Sequence, residues 1–209
     1  FYYASIGGFG DMPDLEVLEN PKTNLASEVI SSDGKTLGKY YFNDNRTPVT
    51  FDELPKHLVD ALIATEDIRF YSHSGIDFKR TFGAVLKLGK DGGGSTITQQ
   101  LAKLLFTGEG SRDILERLTQ KFKEYIIAVR LERHYTKDEI ITQYLNLYDF
   151  GNNGDGIRSA ARIYFGKEPI DLDINESAIL VGMLKNSSLY NPLRRPELVQ
   201  SDEMLFLGK

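Results

Sequence analysis

Three helix-opening signatures constrain the fold of this chain more than any other feature. Thr96 with Gln99, Thr136 with Glu139, and Asp173 with Glu176 each set a short polar side chain three residues ahead of a Gln or Glu. At that spacing the first side chain accepts from a free backbone N–H of the opening turn, and the second reaches back to the cap. Apolar residues then follow at helical intervals. They are Leu101, Leu104 and Leu105 after the first signature, and Ile140, Ile141, Tyr144, Leu145 and Leu147 after the second. The third opens an apolar helix that ends at Met183-Leu184. Pro55 suits a first helical turn ahead of Leu58, Leu62 and Ile63. Ser111 is expected to cap a long helix to about Arg133, with Ile114, Leu118, Phe122, Tyr125, Ile126 and Val129 as its buried face. After the loop FGNNGDG, a short helix carries the Ala160-Ala161 pair, which permits close packing. Strand signals are confined to the N-terminal side, where Glu28 to Ile30, the turn Asp33-Gly34 and Leu37 to Phe42 read as a β-hairpin. The expected fold is mostly α.

Composition excludes several function classes. With 209 residues, 41% of them hydrophobic, the chain is long enough for one globular domain with a real core. A net charge of -5 gives no global attraction to nucleic acid, so any anion site must come from a local basic cluster. Without cysteine there is no disulfide framework, thiolate metal site or cysteine nucleophile. His57, His73 and His134 have no paired metal spacing. No apolar run is long enough to span a bilayer. Residues 1–24, rich in Gly, Pro and Asn, read as a linker, and Phe1-Tyr2-Tyr3 suit a membrane interface just outside a removed transmembrane helix.

Chemistry concentrates first in Glu66 to Asp77, EDIRFYSHSGID. Glu66 falls where the helix of Leu58 and Leu62 meets a loop, so its carboxylate can enter a cleft while its backbone stays anchored. Acids at such junctions are also ordinary solvated surface, and the stretch alone leaves both readings open. Asp77 can cap the segment FKRTFGAVLKLGK, whose Lys79, Arg80, Lys87 and Lys90 frame an apolar stripe. That pattern fits a helix lying on an anionic membrane, and equally a core helix with a basic outer face.

In GGGSTITQQLAKLLF, Ser95, Thr96 and Thr98 with the free N–H groups of a helix start could cradle an anion, with Lys103 a turn and a half later. A capped helix after a flexible loop would look the same, and the lysine placement of a nucleotide P-loop is missing. Lys121 and Glu124, three apart, are either an exposed ion pair or a charge-compensated carboxylate facing the cleft of Glu66. Lys185 to Ser188 form a polar, basic helix end.

Taken in order, these motifs resemble the glycosyltransferase family 51 domain, the peptidoglycan glycosyltransferase of class A penicillin-binding proteins. Glu66-Asp67, Phe70, His73, Gly75 and Asp77 match its first motif, and Gly93 to Gln100 with Lys103 its second. Lys121 and Glu124 match the third, Lys137 to Gly151 the fourth, and AARIYFGK with NESAILVGMLK the fifth. The likeness covers roughly residues 11 to 199, with the domain itself at 25–199 and residues 200–209 left as an unassigned tail. Gln120 stands where the family carries an arginine, which removes one planar phosphate clamp, and Leu104 stands where asparagine is frequent.

The resemblance implies a lysozyme-like, two-lobed helical domain with a membrane-docking jaw around Phe78 to Lys90. It implies polymerisation of lipid II into β-1,4 glycan strands by an inverting single displacement that releases undecaprenyl pyrophosphate. Glu66 would be the general base, and Glu124, the other catalytic residue, would orient the lysines or help hold a metal. Substrate contacts would come from Asp67, Phe70, Ser95, Thr98, Gln100, Lys103, Lys121, Lys185 and Ser188. A divalent cation, Mg or Mn, is compatible with this chemistry, with Glu124 as its ligand, and no organic cofactor is implied. Expected partners are lipid II, the growing strand, the membrane surface and other cell-wall synthesis proteins, with no nucleic acid. The expected location is the outer face of the bacterial cytoplasmic membrane. His73 is expected to order its loop. The alternative is a lysozyme-like lytic transglycosylase or glycan hydrolase, which would not need lysines grouped around a second glutamate.

Overall fold

All three helix-opening signatures form as expected. In the computed structural model, the Thr96 hydroxyl accepts from Gln99 N–H at 3.1 Å. Thr136 N–H donates to Glu139 at 2.7 Å, and Asp173 accepts from Asn175 and Glu176 N–H, both at 2.9 Å. The structure describes residues 27–34, 36–40, 46–81, 94–107 and 113–197. The expectations for the 1–24 linker, residues 82–90 of the basic-apolar segment, Gly92-Gly93, Ser111 and the 200–209 tail lie outside the described residues.

Strands β1 (Ser27–Ile30) and β2 (Thr36–Tyr40) pair antiparallel, with an irregularity between Val29 and Ile30. The helices are α1 (Lys56–Glu66), α2 (Ile97–Ala102), α3 (Ile114–His134), α4 (Lys137–Leu147), α5 (Gly156–Phe165) and α6 (Ile174–Lys185). The described part is therefore mostly helical, and no described helix is long and apolar enough to cross a membrane.

The chain divides into two compact units. One contains Glu66–Tyr144; the other contains Thr23–Thr65 and Leu145–Lys209. In the first, α2 buries Ile97 and Leu101, α3 buries Ile127, Ala128 and Leu131, and α4 buries Ile140, Ile141 and Tyr144. In the second, the Asn146 side-chain amide clasps the Val49 backbone, accepting from its N–H and donating to its carbonyl, both at 2.9 Å. There α1 buries Leu58, Val59 and Leu62, and α5 buries Ala160 and Ala161. The Tyr148 hydroxyl donates to the Leu184 carbonyl at 2.9 Å, closing the end of α6 that carries Lys185.

Three expectations are corrected. The cap of α3 is Asp113, whose carboxylate accepts from Leu115 N–H at 2.7 Å, so the helix starts after Ser111. The inward face of α3 runs through Glu124, Ile127, Ala128 and Leu131, while Leu118 and Phe122 are about half exposed. The apolar pattern marked a different stripe, because periodicity cannot say which side meets a neighbour that needs close approach. Here that neighbour is Gly75. A Cβ on it would lie 2.8 Å from the Ala128 backbone, and its φ of +88° is unfavourable for any other residue. Leu104, expected inward, is exposed. Lys103–Thr107 forms a π-helical turn, and its wider i→i+5 spacing rotates Leu104 off the face set by Leu101.

Gly75→Ala combines a disfavoured backbone with a clash against backbone atoms, so it should cost about 3 kcal/mol of stability. Thermal or urea unfolding checks this; a variant within 1 kcal/mol of the parent would show that α3 can move away.

Candidate active site

Glu66 is the last residue of α1 and is partly buried. Its Oε2 accepts from Gln100 Nε2 at 2.7 Å, while Gln100 Oε1 accepts from the Tyr144 hydroxyl at 2.9 Å. The Glu66 carbonyl accepts from the Arg80 guanidinium. The expected general base is thus gripped at both its backbone and its side chain.

The residues after it brace this position. Asp67 is fully buried, and its Oδ2 accepts from His73 Nε2 at 2.9 Å and from Ile97 N–H, the first residue of α2, at 3.1 Å. The Gly75 carbonyl accepts from the Thr96 hydroxyl at 2.7 Å and from Gln99 Nε2 at 3.2 Å. Asp77 takes a two-pronged grip from Arg69, both bonds at 2.8 Å, and caps Arg80 N–H at 3.0 Å. Burial works to raise the Asp77 carboxyl, but the Arg80 N–H and the Arg69 guanidinium outweigh it and hold it below the usual aspartate range. His73 orders the loop as expected, through Asp67.

The second glutamate sits in a separate cluster. Lys121 Nζ donates to Glu124 Oε2 and to Ser95 Oγ, each at 2.7 Å, and lies 5.5 Å from the centre of the Tyr125 ring. Glu124 is only 7% exposed, so its charge is compensated by one lysine in a largely dry setting. Burial, and then the Glu124 charge, push the Tyr125 phenol up, which keeps it neutral. Ser95, from the glycine-rich helix start, and the Lys121/Glu124 pair, from one helical spacing, are brought together here.

Other expected contacts are placed differently. Asp67, Phe70 and Thr98, expected as substrate contacts, are fully buried. Each is engaged internally. The Thr98 hydroxyl donates to Glu132 at 2.6 Å, and Lys137 Nζ donates to the same carboxylate oxygen at 2.8 Å. Lys137 also donates to the His73 carbonyl at 2.8 Å and stands 4.2 Å over the Phe70 ring.

Nothing in the sequence marks Glu132, Lys137, Tyr144, Arg69 and Arg80 as neighbours of the site residues. Glu132 and Lys137 lie across the α3–α4 break, where no helical spacing rule links them. Lys103 is exposed on the π-helical turn, and Lys185 and Ser188 are exposed at the end of α6.

The metal expectation centred on Glu124 meets a poor donor set. Among the described residues no three His, Asp or Glu side chains converge, and Glu124 already faces the ammonium of Lys121. Around Glu124 the described residues do not build a resident metal site.

Comparison with known proteins decides the family. The family model described as Transglycosylase matches residues 33–209, which includes the tail that the motifs left unassigned. The chain belongs to the transglycosylase family. Penicillin-binding protein 1F of Bacillus subtilis is 42% identical over 189 residues, covering 88% of this chain and 26% of that protein. Penicillin-binding protein 1A of Escherichia coli is 39% identical over 187 residues, covering 87% and 21%. Penicillin-binding protein 2a of Streptococcus pneumoniae is 41% identical over 151 residues, covering 72% and 20%. The chain spans about a quarter of the length of the curated relatives it matches. This transglycosylase domain is an enzyme of the peptidoglycan glycosyltransferase type, in cell-wall synthesis, and the glycan-cleaving alternative is not favoured.

Proposed function

We propose that this domain polymerises lipid II at the outer face of the bacterial cytoplasmic membrane, with Glu66 as general base. In this reading Glu66 takes the proton from the 4-hydroxyl of the acceptor sugar. The hydroxyl oxygen bonds to the anomeric carbon of the growing strand as the bond from that carbon to the pyrophosphate oxygen breaks. Undecaprenyl pyrophosphate leaves with the electron pair, and α inverts to β. A hydroxyl is a poor nucleophile, so a positioned carboxylate is what this step needs. The observation that carries the reading is the grip on Glu66, with one carboxylate oxygen tied to Gln100 and the backbone tied to Arg80.

The negative charge on the leaving pyrophosphate falls, in this reading, to Lys121, Lys103 and Lys185. Glu124 and Ser95 support it by fixing the Lys121 ammonium. Glu124 then acts as the holder of the Lys121 ammonium, and Ser188 as a polar neighbour of Lys185. The test is incubation of the chain with purified lipid II, scored for polymer and for released undecaprenyl pyrophosphate; absence of both would overturn the reading.

The lysozyme-like two-lobed form and the membrane-docking jaw belong to the same proposal. The polyprenyl tail of the donor stays in the bilayer, so the site must approach a lipid surface. Phe78, which opens the basic-apolar segment, is 70% exposed beside Lys79 and Arg80. Phe78→Ser should reduce co-flotation with anionic vesicles about threefold, in keeping with an aromatic ring lost from an interface. Unchanged flotation would remove this segment from the docking surface.

A further inference from the structure

A glutamate that takes a proton must present one oxygen steadily, and a side chain at a helix end does not hold itself. Glu66 is held by the amide of Gln100, whose two ends are chemically opposite. The NH2 end donates to a carboxylate; the C=O end would repel it. Which end faces Glu66 is settled at the other side of the amide, where the Tyr144 hydroxyl lies 2.9 Å from Oε1. A neutral phenol donating there ties down the carbonyl and leaves the NH2 for Glu66. Tyr144 is fully buried on α4, so its hydroxyl reaches Gln100 from a fixed ring. Gln100 sits on α2, whose first turn is pinned by Asp67 and by the Gly75 carbonyl. Every part of the relay except the Glu66 side chain is therefore set by the packed interior.

We propose that Tyr144 is a positioning residue for glycosyl transfer: acting through the Gln100 amide, its hydroxyl holds the Glu66 carboxylate in its proton-accepting orientation. This rests on Glu66 being the general base. With both ends of its amide engaged, Gln100 serves the reaction through Glu66 instead of acting as a separate hook for substrate.

The test is a double-mutant cycle read as kcat and KM for lipid II polymerisation. Tyr144→Phe keeps the buried ring and removes one hydrogen bond, so kcat should fall about tenfold with KM changed less than about twofold. Gln100→Leu should fall at least as far. The double variant should fall no further than Gln100→Leu, because both changes break the same relay. Gln100→Glu keeps an acceptor for Tyr144 but takes the donor from Glu66, and it should lose as much as Gln100→Leu. It also carries the test if Tyr144→Phe does not fold by circular dichroism.

Parent-like kcat in Tyr144→Phe, multiplied losses in the double variant, or parent-like turnover in Gln100→Glu would each overturn the proposal. Glu66→Gln, run alongside, separates the two levels. If it is inactive while Tyr144→Phe is unaffected, the base reading stands and the positioning role falls. If it retains full turnover, the base reading itself falls.

Discussion

Glu66→Gln is expected to abolish lipid II polymerisation, a loss of about a thousandfold or more in kcat, while leaving the fold intact. The substitution keeps the size and shape of the side chain but replaces a proton acceptor by an amide that cannot take the proton of a hydroxyl. Glu66 is only partly buried and ends its helix, so its charge contributes little to packing, and stability should change by less than about 1 kcal/mol. The measurement is polymer yield from purified lipid II, with circular dichroism and thermal unfolding as the fold control. Parent-like yield from a folded variant would sink the assignment. So large a loss from so small a structural change would separate a chemical role from a supporting one, because the Gln100 amide and the Arg80 contact to the Glu66 carbonyl remain available.

Lys121→Ala is expected to lower kcat about a hundredfold, with a smaller change in KM, because the leaving-group charge develops in the transition state. It carries a second signature that Glu66→Gln lacks. Removing the ammonium strips Glu124 of its cation in a setting where the carboxylate is 7% exposed, so stability should also drop, by about 2 kcal/mol. Lys121→Arg should restore much of the stability, since it returns the charge, and only part of the rate, since a guanidinium fork is shaped differently from an ammonium held between Glu124 and Ser95. Steady-state kinetics and denaturant unfolding of both variants check the pair. Unaltered kinetics in Lys121→Ala would show that pyrophosphate charge is handled elsewhere, and that Gln120 in place of the family's arginine reflects a rearranged site.

The two clusters differ in how much of each is legible in the sequence. Lys121 and Glu124 are three apart on one helix, so their pairing follows from helix geometry, and the sequence left open only whether the pair was dry or solvated. The capture of Ser95 by the same lysine bridges 26 residues and required the structure. Glu66 could be singled out as a carboxylate at a helix end, but its partner Gln100 is 34 residues away and Tyr144 another 44 beyond that. Asp67, Phe70 and Thr98 illustrate the opposite limit. Their place in family motifs suggested substrate contact, and the structure shows them buried and tied to partners that no local spacing marks: Asp67 to Ile97 N–H, Thr98 to Glu132, and Phe70 under Lys137.

By itself, the sequence determined three of the helix starts, the mostly α character and the family. Caps act within four residues, so Thr96, Thr136 and Asp173 carry their structural consequence locally. Tertiary structure alone decided which stripe of α3 faces inward, and which end of an amide meets the proposed base. The first depends on Gly75 allowing the Ala128 backbone to come close, and the second on a buried phenol from another helix. Both are contacts between distant parts of the chain, and periodicity along one segment carries no information about what packs against it.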